Sequence, residues 1–175
     1  QFAGGSIEAT LFRIEIDDLI QFDPFATACG SGFGCFNQVP GKTTSEGLEL
    51  AFEVDLVPDV NLYGSYTYTD ARNSGQQLVR TPKHDAVIGI EAAFTPALRG
   101  GLDVRRVADV EASAFAPVGN RVGDYTLVGA DLEYDVTDST MLYLRLENLL
   151  DEDYETAGGF NTAGRSAFVG LRARF

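Results

Sequence analysis

The stretch Gly47-Leu48-Glu49-Leu50-Ala51-Phe52-Glu53-Val54-Asp55-Leu56 alternates without a break. Leu48, Leu50, Phe52, Val54 and Leu56 fall on one side, and Glu49, Ala51, Glu53 and Asp55 on the other. Successive side chains of a strand point to opposite faces, so a period of two describes a ribbon with one apolar and one wet surface. A helix would scatter the same residues around its circumference. The division returns downstream. Ala86, Ile88, Ile90, Ala92 and Phe94 oppose Asp85, Val87, Gly89, Glu91 and Ala93. Thr126, Val128, Ala130, Leu132, Tyr134 and Val136 then oppose Tyr125, Leu127, Gly129, Asp131, Glu133 and Asp135. Leu142, Leu144 and Leu146 oppose Tyr143, Arg145 and Glu147, and Ala167, Val169, Leu171, Ala173 and Phe175 oppose Ser166, Phe168, Gly170, Arg172 and Arg174.

Less regular segments at 8–17, 60–69 and 102–110 bring the expectation to eight strands. Their connections alternate in length. Short turns are expected at Val57-Pro58-Asp59, Thr95-Pro96-Ala97 and Thr137-Asp138, and long links at 18–44, 70–82, 111–123 and 149–164. Transmembrane barrels of the bacterial outer membrane have short periplasmic turns and long extracellular loops, which puts the C-terminal Phe175 at the periplasmic end. A soluble barrel of the lipocalin kind would turn the apolar face inward instead. Four long polar loops crowded at one end would then have no evident role, which favours the membrane reading.

Composition agrees with an all-β chain. Nineteen glycines, seven tyrosines and twelve phenylalanines, with one methionine and no tryptophan, suit short turns and strands. No run approaches the ~20 apolar residues of a membrane-spanning helix, so a membrane protein here has to be a barrel. The net charge of −13 argues against nucleic acid as a partner, because a face for phosphates needs clustered Lys and Arg and the sequence has no such cluster. Cys29 and Cys35 lie in a glycine-rich stretch that permits a small disulfide-closed loop in an oxidising compartment, the alternative being two free thiols. Gln1 opens among polar and glycine residues without the features of a signal peptide, so either an export signal was removed or an N-terminal part is missing.

Asn148-Leu149-Leu150-Asp151 followed by Tyr154, then Gly164-Arg165 and a last strand ending in Phe175, resembles the C-terminal signature of TonB-dependent receptors. Gly47-Leu48-Glu49 entering one strand and Arg80-Thr81-Pro82-Lys83-His84 leading into another resemble further recurrent stretches of that family. The resemblance covers essentially the whole chain. It implies a larger barrel, of twenty-two strands in the family, of which this chain would hold the last eight. The plug domain, the N-terminal strands and the box that meets the inner-membrane energy-transducing complex would be absent. The function implied is energy-coupled uptake of a scarce nutrient: a ferric siderophore, a cobalamin, a haem or a glycan. Implied partners are outer-membrane lipid, the missing plug, the energy-transducing complex, the small-molecule ligand and the barrel-assembly machinery, which would read the terminal Phe175. The alternative is eight strands closed on themselves into a small outer-membrane barrel acting as scaffold or adhesin.

Glu49, Glu53, Asp55, Glu91, Asp131, Glu133, Asp135 and Glu147 are expected on the lumenal face, with Arg13, Arg145, Arg172 and Arg174 as counter-charges. Such a face can be a cation path or a wet wall meeting the plug. The loop 18–44 is the candidate ligand-contact segment, because it is long and carries Phe22, Phe25, Phe33 and Phe36. Mutual packing of these rings is the other reading. His84 and Asp85 are neighbours on a strand, so they face opposite ways and form no relay. No serine sits in a nucleophile elbow and no His or Cys cluster offers a metal site, so neither an enzyme nor a cofactor is expected.

Overall fold

The computed structural model describes residues 4–23, 26, 30, 34–38, 40–112 and 121–174. In chain order the strands are β1 (Gly5–Asp17), the short β2 (Ile20–Asp23) and β3 (Cys35–Gln38), β4 (Lys42–Val57), β5 (Val60–Asn73), the two-residue β6 (Gln76–Gln77), β7 (Pro82–Thr95), β8 (Leu98–Glu111), the two-residue β9 (Arg121–Val122), β10 (Tyr125–Thr137), β11 (Thr140–Glu147) and β12 (Ser166–Ala173). The eight long ones form an antiparallel sheet in the order β1-β4-β5-β7-β8-β10-β11-β12. β6 and β9 extend β5 and β8, and β2 pairs only with β3. No helix occurs among the described residues.

The three short connections are two-residue turns at 58–59, 96–97 and 138–139. Each follows a slip of one residue in the ladder, at Asp55/Val57, Ala93/Thr95 and Asp135/Thr137. The slip is a bulge, which adds the local twist a tight return needs. Side chains close two of these turns. Thr95 Oγ1 accepts from the amides of Ala97 and Leu98 at 3.2 and 3.0 Å, and Thr137 Oγ1 from that of Ser139 at 3.3 Å.

Register then carries the alternation across the sheet. Gly5, Val54, Leu62, Ile90, Leu102, Ala130, Leu146 and Ala167 form one rung through all eight strands, without a polar side chain. The rung of Ile7, Phe52, Gly64, Ile88, Val104 and Val128 lies on the same face. On the opposite face, Ser6, Glu53, Tyr63, Gly89, Asp103 and Gly129 stand side by side. Aromatic rings on that face lie over cross-strand glycines: Phe12 on Gly47, Tyr63 on Gly89 and Tyr143 on Gly170, where a Cβ would overlap the ring. These pairs let large rings lie flat on a curved wall.

The apolar face is uncovered. Leu11 is 81% exposed and Val169 78%, and no large side chain among the described residues is fully buried. A stable water-soluble fold would bury such a surface, whereas a lipid-facing band leaves it outermost. β1 and β12 end the sheet and are not paired with each other. Their free edges count against the self-closed eight-stranded alternative, since hydrocarbon does not tolerate unpaired backbone groups.

One face assignment is corrected. Arg13 lies opposite Glu46, in step with Leu11 opposite Leu48, and therefore stands on the outer face instead of the lumenal one. Above Leu11 the character of β1 inverts: Arg13, Glu15 and Asp17 point outward, and Phe12, Ile14 and Ile16 inward. Lys42 and Arg13 bind Glu15 at 2.5 and 2.7 Å in a surface network beyond the apolar band. The adjacent apolar residues Leu11 and Phe12 are the mark that this change of phase leaves in the sequence.

Candidate functional site

The lumenal face holds the expected carboxylates. Asn61 Nδ2 donates to Glu53 and Asp55 at 3.3 and 3.2 Å. Arg99 forks between Glu133 and Asp135 at 2.7 and 2.8 Å, and Arg145 pairs with Glu147 at 2.7 Å. Arg99 was not anticipated as a counter-charge; its place beside Glu133 follows from the β8–β10 register. Nearer the loop end, Asp85 receives both Nε and an Nη of Arg105, at 3.0 and 2.7 Å. A recess of about 580 Å³ opens on this wall, with Asp103, Arg105, Asp131, Arg145 and Tyr154 among its lining residues.

His84 is on the outer face, as the alternation requires, and Asp85 on the inner. His84 Nδ1 is 2.8 Å from the Tyr66 hydroxyl, its ring packs against Tyr68 with centroids 5.3 Å apart, and Nε2 lies 3.7 Å from Asp109. These rings form an aromatic patch at the edge of the apolar band, the place of an interfacial girdle. Among the described residues no group of three or more His, Cys, Asp or Glu is arranged to hold a metal.

In the long first loop, β2 and β3 make a hairpin in which Phe22 faces Phe36 across the ladder. Their rings meet edge to face, 5.7 Å apart, yet Phe22 is 43% and Phe36 75% exposed. Ring packing and availability thus coexist in this pair. Asp23 is opposite Cys35, and Cys35 is not a free thiol. Phe25, Phe33 and Cys29, and at the other end of the chain Phe175, lie outside the described residues.

The C-terminal motif assembles into a clasp. Asn148 and Asp151 both adopt positive φ, 50° and 57°, which their short polar side chains tolerate better than most. Asn148 is 6% exposed. Its Oδ1 accepts from the Glu152 amide at 2.9 Å, and its Nδ2 donates to the carbonyls of Glu152 and Ala163 at 2.9 and 3.4 Å. Asp151 Oδ1 accepts from the Arg165 amide at 2.8 Å, and the same oxygen would lie 2.9 Å from a Cβ at Gly164. The Leu149 amide donates to Val128 of β10 at 2.9 Å. The two ends of the 148–165 loop are therefore tied together and to the wall, and Tyr154 is delivered onto Tyr125 with ring centroids 4.5 Å apart. Behind Tyr125 lie Val107, Val110, Ala112 and Val122, the main buried apolar cluster.

Comparison with known proteins gives the arrangement a family. The family described as TonB dependent receptor-like, beta-barrel matches residues 1–149. The ferrichrome outer membrane transporter/phage receptor of Escherichia coli K12 is 31% identical over 141 residues, which are 74% of this chain and 19% of that protein. The vitamin B12 transporter BtuB of Vibrio cholerae is 27% identical over 179 residues, 99% of this chain and 28% of its own. Among solved structures, the ferric-catecholate import receptor Fiu of E. coli K12 superposes with a TM-score of 0.72 at 21% identity, over 98% of this chain and 25% of its own. The chain spans less than a third of the length of each of these relatives. It belongs to the TonB-dependent receptor family, as part of the β-barrel.

Proposed function

We propose that this chain is the C-terminal part of an outer-membrane receptor of a Gram-negative bacterium that takes up a scarce nutrient with energy supplied from the inner membrane. The observation that carries the reading is the pairing of an uncharged apolar band, the rungs through Val54 and Phe52, with a carboxylate-rich opposite face in a chain of this family. The first would meet lipid; the second would meet water and a plug domain held inside the completed barrel. Strands beyond β1 and β12 would satisfy the two free edges. Relatives are described as transporters of ferrichrome and of vitamin B12, which supports a ferric siderophore or a cobalamin as the ligand class, with haem and glycans as further members.

In this reading Phe22, Phe25, Phe33 and Phe36 offer ligand contacts on a loop closed by a Cys29–Cys35 disulfide. The inner-membrane energy-transducing complex engages the plug, and the barrel-assembly machinery reads the last strand with its terminal Phe175. The chain has no catalytic role and no resident cofactor in this scheme. A passive scaffold or adhesin is less well supported, because β1 and β12 lie at opposite ends of the sheet.

Uptake of radiolabelled ferric siderophores and cobalamin, by cells whose only outer-membrane receptor for them contains this chain, tests the proposal. One ligand should accumulate in energised cells and remain at surface-bound levels when the proton-motive force is collapsed. Accumulation indifferent to energy, or an absence of binding across the ligand classes with the barrel assembled, would contradict it.

A further inference from the structure

The inner face of β1 changes character at its loop end. Phe12, Ile14 and Ile16 point inward there, while Arg13, Glu15 and Asp17 on the other side require water and not lipid. The stripe therefore lies beyond the apolar band and looks into the mouth of the barrel. Ile14 and Ile16 are exposed, with Ser45 and Thr43 opposite them on β4. The chain runs on past Asp18, whose amide donates to the Gly41 carbonyl at 3.1 Å, into β2 and β3, where Ile20, Phe22 and Phe36 are exposed as well. Exposed apolar side chains gathered among polar ones mark an interaction surface.

Charge decides what such a surface can receive. Below the stripe, the inner faces of β1, β4 and β5 carry Glu8, Glu49, Glu53 and Asp55 and no lysine or arginine. The four long connections, 18–41, 74–81, 112–124 and 148–165, hold seven carboxylates against three cations. Two of these cations are already committed, Arg121 to Asp109 and Arg165 to Asp151, which leaves Arg80. A ligand of net negative charge would be repelled on its approach and would find no cation on this part of the wall to hold it.

We propose that the nutrient taken at this mouth is a metal chelate without net negative charge, received on Ile14, Ile16 and the Phe22–Phe36 hairpin, and that anionic chelates of the same metal are turned away by the surrounding carboxylates. The inference rests on the transport reading and narrows its ligand class. Three hydroxamates, each a monoanion, leave iron(III) uncharged, and cyanocobalamin is uncharged overall. Three catecholates, each a dianion, leave iron(III) with three net negative charges.

Two measurements on the purified full-length receptor test it, with assembly of each variant checked by heat-shifted migration. The first reads the charge of the mouth without any ligand. In a receptor with Cys29→Ser, Cys35→Ser and Ile16→Cys, the thiol is modified by methanethiosulfonate reagents of matched size and opposite charge. Relative to a free thiol, the cationic reagent should react about tenfold faster than the anionic one, the scale by which a cleft of one sign concentrates counter-ions, and high salt should abolish the difference. Asp18→Asn with Asp23→Asn should narrow it. The second measurement is equilibrium binding of a ferric trihydroxamate, cyanocobalamin and a ferric tris-catecholate to the receptor with its native cysteines. One of the two uncharged chelates should bind, and Ile14→Ser should weaken it about tenfold, as loss of a buried isoleucine contact does. Equal reagent rates, tighter binding of the catecholate, or binding indifferent to Ile14→Ser would overturn the inference and leave transport standing. Binding of none of the three would overturn it as well, and transport is then judged by the uptake experiment alone.

Discussion

Asn148 holds the root of the last loop together. It is buried, sits at positive φ and satisfies three backbone groups at the root of the last loop. Alanine would leave those groups unpaired and would add strain in the left-handed region. A cost of about 2–3 kcal/mol is expected, since a buried polar group that loses its partner forfeits more than the net value of the bond. Asn148→Asp keeps the acceptor and the tolerance of positive φ, but it turns a carboxylate that cannot donate onto the carbonyls of Glu152 and Ala163 and should cost at least as much as alanine. The unfolding midpoint of the purified, refolded receptor checks both; an unchanged midpoint in Asn148→Ala would show that the clasp is not what fixes the loop. In the sequence these residues stood out only as a family signature. Their joint role was hidden because Asn148 and Asp151 act on Ala163 and Arg165 across a loop whose closure no local pattern encodes.

At the scale of elements, alternation located five of the eight long strands and the less regular segments at 8–17, 60–69 and 102–110 the other three, because each has one face that must be apolar over the thickness of a membrane. It was weakest at the loop ends. β4 begins at Lys42 and β7 at Pro82, before the alternating stretches at 47 and 85, since beyond the apolar band both faces of a strand are polar and the period disappears. The same reason hid the pairs β2–β3, β5–β6 and β8–β9, which are held by backbone ladders of only two to four residues. The first of these pairs carries its own prediction. With Asp23 opposite Cys35 and the chain returning through Cys29, a disulfide would close the hairpin tip and hold Phe22 against Phe36. Intact, non-reduced receptor should react with a thiol reagent at neither cysteine, and both should become reactive after mild reduction. A free thiol at either position before reduction would rule out the closed tip.

Over the whole molecule, one rung of eight uncharged residues and a wall of carboxylates lie back to back in a sheet a single strand thick. Only an environment that is apolar on one side and wet on the other accommodates both, and a bilayer around a polar lumen is such an environment. Which face is outermost was not given by alternation, which is symmetric under exchange of the faces. It was inferred from loop asymmetry and rests now on the uncovered apolar face, the free sheet edges and the family. The most direct test is a spin-label scan along β4 of the receptor reconstituted in lipid vesicles, with cysteines placed singly from 48 to 54 and native cysteines replaced. Labels at Leu48, Leu50, Phe52 and Val54 should relax strongly with membrane-dissolved oxygen, and those at Glu49, Ala51 and Glu53 should be shielded from it. The opposite phase, or no alternation at all, would contradict the account.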